Sequence, residues 1–264
     1  MPRFVKQLVF GIVYILIIFG IGYGVYYWSH PKPTCFDKIQ NQNEEGVDCG
    51  LVCGNSCHTI MPLEVLSVKL LKVATGDYDI LAEIRNPNPD YGSPKVDYDL
   101  VLSGQSKEEL SRQNFSFYVL PGQTKHIILN FTNNDLNITQ AQIAVKNVEW
   151  NKLNLFDPQL VSFPVKDKKF NNTEFSAVVL NDSDFDFDTI DIVVILYDQN
   201  DNILGVNRSN INTLFSRTER YFKVLWPTPI GGVFKVDVEP STNLLNNSNF
   251  IEKYGTQEKF QQYY

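Results

Sequence analysis

The sequence predicts an all-β protein, built as two tandem immunoglobulin-like sandwiches behind one membrane-spanning helix and a small disulfide module. Three observations predict this class. An uncharged apolar stretch opens the chain, four cysteines fall within 23 residues directly after it, and the remainder alternates apolar and polar residues. Stripes of apolar residues at helical spacing are almost absent from that remainder. With 264 residues, of which 43% are hydrophobic, the chain can bury a sizeable core.

The composition excludes several functional classes. The chain carries 23 Lys and Arg against 30 Asp and Glu, a formal charge of −7, and has no basic run. This balance argues against nucleic acid as a partner. No Gly-rich phosphate loop, G-x-S-x-G elbow or H-E-x-x-H motif occurs, and three His and two Met leave little for a metal or redox enzyme. The chain is therefore expected to be no enzyme and to need no cofactor.

Residues 1–30 are predicted to be a cytoplasmic tip and a transmembrane helix. Leu8–Trp28 contains no charged residue, and a helix of that length spans the ~30 Å hydrocarbon core of a bilayer. Arg3 and Lys6 precede the stretch without any acidic residue, so the positive-inside rule places the N-terminus in the cytoplasm and the rest outside. We therefore expect a single-pass protein of the cell membrane, with the lipid bilayer as a partner through Leu8–Trp28.

A cleaved signal peptide is the alternative interpretation of this N-terminus. The apolar run is longer than the usual h-region of 7–15 residues, and no small-x-small cleavage site follows it. Cleavage near His30 would release a soluble secreted binding protein.

Residues 31–60 form the predicted cysteine module, with Cys35, Cys49, Cys53 and Cys57. An even number of cysteines in an exported segment indicates two disulfides, and three pairings are possible. The segment is too short and too polar to hold a core of its own, so covalent links would stabilise it.

The cysteine module resembles a short module of bacterial surface proteins that reads roughly C-x-D-G-x-x-N-x-x-E-x-G-x-D-C-G-G-x-C-x-x-C. The matching positions are Asp37, Asn41, Glu44 or Glu45, Gly46, Asp48, Cys49 and Gly50. Lys38 and Leu51 replace usual glycines, and the last cysteine spacing is one residue longer. The resemblance implies no settled activity.

Three ligand sites in the module compete with a plain disulfide-linked spacer. Calcium takes six to eight oxygen ligands, and Asp37, Asn41, Glu45 and Asp48 could supply some of them. Their spacing is not that of an EF-hand loop. Zinc would use Cys49, Cys53, Cys57 and His58. A haem attachment at Cys53–His58 would be one residue longer than C-x-x-C-H. Because disulfide formation competes outside the cell, the spacer is the prediction.

The remainder of the chain repeats itself. Val65–Asn86 aligns without a gap onto Leu160–Asn181, and a one-residue gap then aligns Leu120–Thr124 with Leu214–Thr218. Each unit has about 90–100 residues and roughly seven short strands, the size of an immunoglobulin-like sandwich. We place the first sandwich at 61–152, the second at 153–240 and a flexible tail at 241–264.

Two family resemblances fall on these units. In the second, Val194–Asp198 followed by the turn Gln199–Asn202 resembles the FxLYD domain, with Val194 in place of its Phe. In the first, Ile84–Asn88 leading to Val96–Leu100 is similar to the type 2 late-embryogenesis-abundant (water-stress) domain. The resemblances imply bacterial β-sandwiches that act as binding or structural modules without a catalytic site.

Two further features are open to a functional interpretation. Alternate aspartates of the 182–188 loop offer calcium ligands or simply form a solvated turn. His126 is expected on a strand with its side chain in water.

The function predicted from all of this is a membrane-anchored, extracytoplasmic, non-catalytic protein. It would act as an envelope scaffold, an adhesion protein or an accessory binding subunit with a protein partner in the envelope. The alternative is an extracytoplasmic redox or metal-binding protein that uses the Cys35–Cys57 module.

Overall fold

The structure, a computed structural model, describes residues 2–29, 35, 40, 43–44, 49–54, 60–74, 76–133, 137–153 and 160–254. Its contacts divide the chain into two compact units, the first Met1–Thr59 and the second Ile60–Tyr264. In the first unit, helix α1 spans Arg3–Ser29, and Leu51–Cys53 forms a 3₁₀ turn.

Helix α1 is long and apolar enough to cross a membrane. Its segment Arg3–Tyr26 has a mean hydropathy of 2.5, and none of the residues in its most apolar 18-residue stretch is buried within the structure. A helix of this length and composition suits either a membrane anchor or a signal sequence.

The second unit consists mainly of strands. They are β1 (Glu64–Ala74), β2 (Asp77–Arg85), β3 (Tyr91–Ser103), β4 (Glu109–Val119), β5 (Thr124–Thr132), β6 (Gln140–Val148), β7 (Asn151–Lys152), β8 (Val165–Phe170), β9 (Glu174–Leu180), β10 (Phe187–Tyr197), β11 (Ile203–Leu214), β12 (Glu219–Leu225) and β13 (Lys235–Ser241). The 3₁₀ turn Leu244–Asn246 and helix α2 (Ser248–Tyr254) follow.

The strands form two successive pairs of antiparallel sheets with the same order. The first pair is β1-β2-β5 and β4-β3-β6, with β7 beside the start of β3, and the second is β8-β9-β12 and β11-β10-β13. Six consecutive strands thus repeat with the same connections. The predicted class, all-β with one N-terminal helix, is confirmed. Within the described residues each half has six strands in its two sheets, against the roughly seven predicted, and the two-residue β7 is additional in the first half.

Alternating apolar residues of facing sheets build a separate core in each half. The first core contains Tyr78, Ile80, Ile84, Tyr98, Leu100, Leu102, Ile127, Leu129, Phe131 and Ile138. The second contains, among others, Phe175, Ala177, Val179, Ile190, Ile192, Val194, Leu196, Phe222, Val224 and Trp226. The period of two in the sequence is therefore the period of burial, because successive side chains of a strand point to opposite faces.

The two halves pack on each other along a face that we call the seam. Here the outer face of β1-β2-β5 meets the outer face of β11-β10-β13. Its buried apolar residues are Leu81, Ile128, Ile195 and Val206. The seam makes four stacked sheets and joins the two sandwiches into one compact unit.

The repeat is offset by one residue between β4 and β11, and the β3–β4 pairing is irregular between Ser93 and Val96. Ser93 pairs with Val119 in the first half, and Phe187 pairs with Leu214 in the second. Leu214 therefore corresponds to Val119 and not, as the sequence pattern indicates, to Leu120. Thr213, in the left-handed region at φ 57°, marks the distortion at the end of β11.

The segment Ser241–Tyr254, predicted as the start of a flexible tail, belongs to the folded unit. Ser241 still belongs to β13, and the 3₁₀ turn and α2 follow with buried side chains at Leu244, Leu245 and Phe250. The Phe250 ring lies 5.4 Å from the Phe185 ring in the second core. The prediction is wrong up to Tyr254, because a few apolar residues anchor an otherwise polar segment, and residues 255–264 lie outside the described part.

A buried carboxylate on the outer face of β3 also departs from expectation. The alternating pattern predicts Asp99 on a solvated face, yet it is 1% exposed because Arg112 of β4 and Lys146 of β6 cover it. The hydrogen bonds from Lys146 and Arg112 lower the pKa of Asp99 to about 2, so the group stays ionised as their partner.

Candidate functional sites

A buried asparagine holds together the loops at one end of the second sandwich. Asn181 follows β9 and is fully buried. Its Nδ2 donates to the carbonyl oxygens of Phe185, Leu214 and Phe215 at 2.7, 3.2 and 3.1 Å. Its Oδ1 accepts from the Ser183 hydroxyl at 2.6 Å. One side chain therefore ties the β9–β10 loop to the β11–β12 turn.

Asn86 has the same role in the first sandwich. It is also fully buried, and its Nδ2 donates to the carbonyl oxygens of Tyr91 and Leu120 at 2.6 and 2.9 Å. The alignment of Asn86 with Asn181 thus corresponds to a shared structural function rather than to a binding site.

Three of the four aspartates of the 182–188 loop have partners within the protein. Arg217 donates to the carboxylates of Asp182 and Asp184, and the Asp186 carboxylate accepts the backbone N–H of Ser216 at 2.7 Å. These contacts place a protein cation where a calcium ion would need its ligands, so the geometry favours the plain turn over a calcium site.

The cysteine module contains a disulfide between Cys35 and Cys53, one of the pairings that the sequence left open. Cys49 is disulfide-bonded as well. Cys53 therefore has no thiolate to offer, which contradicts the zinc set of Cys49, Cys53, Cys57 and His58 and the haem attachment at Cys53–His58.

A carboxylate lies against this disulfide. Glu44 is 6% exposed, and its Oε1 is 3.0 Å from Cys53 Sγ. Because a disulfide sulfur carries no proton, this is a contact and not a hydrogen bond. Cys35, Glu44 and Cys53 come close enough to suggest a metal cluster, but disulfide sulfurs are not the thiolates that metals select.

The predicted calcium ligands Asp37, Asn41, Glu45 and Asp48, together with Cys57, lie outside the described residues. The calcium site therefore stays a prediction.

The seam carries a polar cluster that the sequence did not reveal. His126 Nδ1 lies 2.9 and 3.0 Å from the two carboxylate oxygens of Glu239, and the Tyr118 hydroxyl lies 3.0 Å from the Ser241 hydroxyl. The expectation that His126 lies in water is wrong, because its side chain is 20% exposed and joins β5 to β13 across the seam. Its partner is 113 residues away in sequence, so no local pattern marks the pair.

The hydrogen bond with Glu239 raises the pKa of His126 against the opposing effect of burial. A raised pKa means that protonated His126 stabilises the folded state below its unfolded pKa, and that this contribution is lost as the pH rises through the folded pKa. We expect His126→Asn to lower the melting temperature more at about pH 5.5 than at about pH 8.5. An equal loss at both values, measured by calorimetry with Glu239→Gln alongside, would contradict the pair.

Comparison with known proteins adds little to this geometry. No family model matches the chain, and no curated protein matches it. Among solved structures, a red sea bream transglutaminase is similar at 12% identity and a TM-score of 0.23. The match covers 72% of this chain and 30% of the transglutaminase chain. The calcium-binding domain CBD12 of CALX1.1 is similar at 14% identity and a TM-score of 0.20, and the match covers 67% of this chain and 80% of the CBD12 chain. Scores this low transfer neither chemistry nor a family to this chain.

Proposed function

We propose that the chain is a membrane-anchored, extracytoplasmic protein without catalytic activity, in which α1 holds a rigid pair of sandwiches at the cell surface. The observation that carries the proposal is the exposed apolar helix ahead of an acidic all-strand unit. An apolar helix with its side chains outside any protein core is stable in lipid and costly in water.

The orientation follows from charge. Arg3 and Lys6 precede the uncharged stretch, which favours a cytoplasmic N-terminus. The disulfide between Cys35 and Cys53 supports the same orientation, because disulfides persist in oxidising compartments.

A binding or scaffold role suits the sandwiches. Asn86 and Asn181 tie the loops together, and the seam packs one sandwich against the other, so the unit presents a pre-organised surface. Pre-organisation lowers the entropic cost of association. The resemblances to FxLYD and late-embryogenesis-abundant domains point to the same role, with a protein partner in the envelope and no nucleic acid.

The anchor can be tested by alkaline carbonate extraction of membranes. The full chain should remain in the pellet, whereas Ile15→Lys combined with Phe19→Lys should release it, because each charge at the bilayer centre costs about 3 kcal/mol. Val5→Lys, outside the apolar stretch, is the control. Extraction of the unaltered chain, or a mature N-terminus near His30, would favour the secreted form instead.

The partner can be tested with the full chain purified in mild detergent. An accessory subunit should retain a second protein in constant ratio, seen as a complex heavier than the 30.2 kDa chain. Recovery of the chain alone would leave adhesion or spacing as its role.

The redox alternative predicts that mild reduction converts the cysteines to thiols and changes the activity or the visible absorbance of the protein. Cysteines that stay oxidised and unreactive would reject this alternative.

A further inference from the structure

A cleft at the seam is built from both sandwiches. It has a volume of about 290 Å³. Strands β3, β4 and β5 contribute to one wall, and β10 and β11 contribute to the other. Aromatic and aliphatic side chains supply most of the lining, among them Tyr98, Phe115, Phe117, Ile127, Leu129 and Ile192.

Lys125 on β5 lines this cleft and has an unsatisfied charge. Its Nζ is shielded from water and has no hydrogen-bond partner within the described part of the chain. The nitrogen lies 3.2 Å from the centre of the Tyr118 ring, a cation–π contact that offsets only part of the lost hydration. A buried ammonium with no hydrogen bond is costly, so an additional partner would stabilise it.

The protein's own acids do not provide that partner. Asp191 and Glu239 are near enough to act on Lys125 electrostatically, but neither forms an ion pair with it in the described structure. Glu239 is already engaged by His126. Burial outweighs both acids and lowers the pKa of Lys125 to about 7.

Basic side chains outnumber acidic ones in the lining of the cleft. Arg208 of β11 and His126 of β5, which is paired with Glu239, line it together with Lys125, and Asp191 is the one acidic residue among the described lining residues. A ligand of this cleft therefore needs a negative charge for the lysine and an apolar body for the walls.

We propose that the cleft binds a small organic anion, an aromatic carboxylate, whose carboxylate pairs with Lys125 and whose ring packs against the apolar wall. The four-carbon stem of a lysine is flexible enough to turn its ammonium toward such a group. The volume is at the lower end for small-molecule sites and suits a ligand of one ring. Inorganic phosphate could pair with the Lys125 ammonium, but it would leave the apolar walls of the cleft exposed to water. The proposal goes beyond the anchored binding role and holds for either orientation of α1.

The first experiment measures binding to the full chain in detergent by calorimetry, with phenylacetate as the probe. Phenylacetamide is the neutral control of the same shape, and inorganic phosphate is the control for charge alone. We expect saturable 1:1 binding of phenylacetate and at least tenfold weaker binding of both controls. Proton uptake should accompany binding at about pH 8, because an anion favours the charged lysine. Equal affinity for the amide, or no saturable binding, would overturn the proposal.

The second experiment uses variants. Lys125→Met keeps the length and apolar stem of the side chain, and should weaken phenylacetate binding at least tenfold and abolish the proton uptake. It should also raise the melting temperature, since it removes an unpaired buried cation, and this separates loss of binding from loss of fold. Lys168→Met, at an exposed lysine of β8, is the matched control and should change neither. Unaltered binding by Lys125→Met would overturn the assignment.

Discussion

Replacing Asn181 with alanine is expected to lower the free energy of unfolding by about 3 kcal/mol. The change removes a donor from the carbonyl oxygens of Phe185, Leu214 and Phe215 and an acceptor from the Ser183 hydroxyl, all in the loops at one end of the sandwich. Buried polar groups without partners cost about 1–3 kcal/mol each, and the loops recover part of this by moving toward water.

Urea unfolding of the purified chain measures the effect. Asn86→Ala should produce a loss of similar size, since Asn86 performs the same function in the first sandwich. Asn147→Ala, at an exposed position of β6, should stay within about 0.5 kcal/mol of the unaltered protein. If Asn181→Ala unfolds like the Asn147 control, the asparagine does not hold the loops.

Replacing Phe250 with alanine is expected to cost about 3–4 kcal/mol. The ring is fully buried, contacts Phe185 and belongs to the second core, so truncation opens a cavity that the surrounding residues fill only in part. A flexible tail, by contrast, would make the change neutral.

Thermal and urea unfolding again provide the measurement, with Phe234→Ala as the control because that ring is 71% exposed. We expect the control to match the unaltered chain and Phe250→Ala to unfold at a clearly lower urea concentration. A negligible loss for both variants would show that α2 is not part of the folded unit.

The strands could be predicted because their burial follows a local pattern. Tyr78, Ile80, Ala82 and Ile84 alternate with Asp79, Leu81 and Glu83 and are all buried, and the repeat carries the same assignment to the second half. The membrane-length helix was equally visible, because a helix of that length on the surface of a soluble protein would carry charged residues along its outer face.

Features that depend on distant residues could not be predicted. The seam buries Leu81 and Ile128 on the face of β1-β2-β5 for which the alternation predicts solvent, and His126 is paired with a residue from the other sandwich. Asp99 is covered by residues of two neighbouring strands. A period-two pattern identifies the apolar face of a strand. It does not indicate whether another sheet packs against the opposite face when that face carries both apolar and polar residues.

The candidate sites were predicted less well than the fold. The sequence directed attention to the cysteine module and to the 182–188 loop, three of whose four aspartates are engaged by Arg217 and Ser216. Nothing in the sequence indicated that Lys125 is buried, because an isolated lysine on a strand is normally solvated. Its burial results from Tyr118 and the opposing sandwich together.

The most direct test of the account is the accessibility of the chain in intact cells. Protease added from outside should remove the unit that begins at Ile60 and leave a membrane-embedded fragment containing α1, and a thiol reagent should label none of the four cysteines without prior reduction. Protection of the whole chain from external protease together with reactive thiols would contradict an anchored, extracytoplasmic protein.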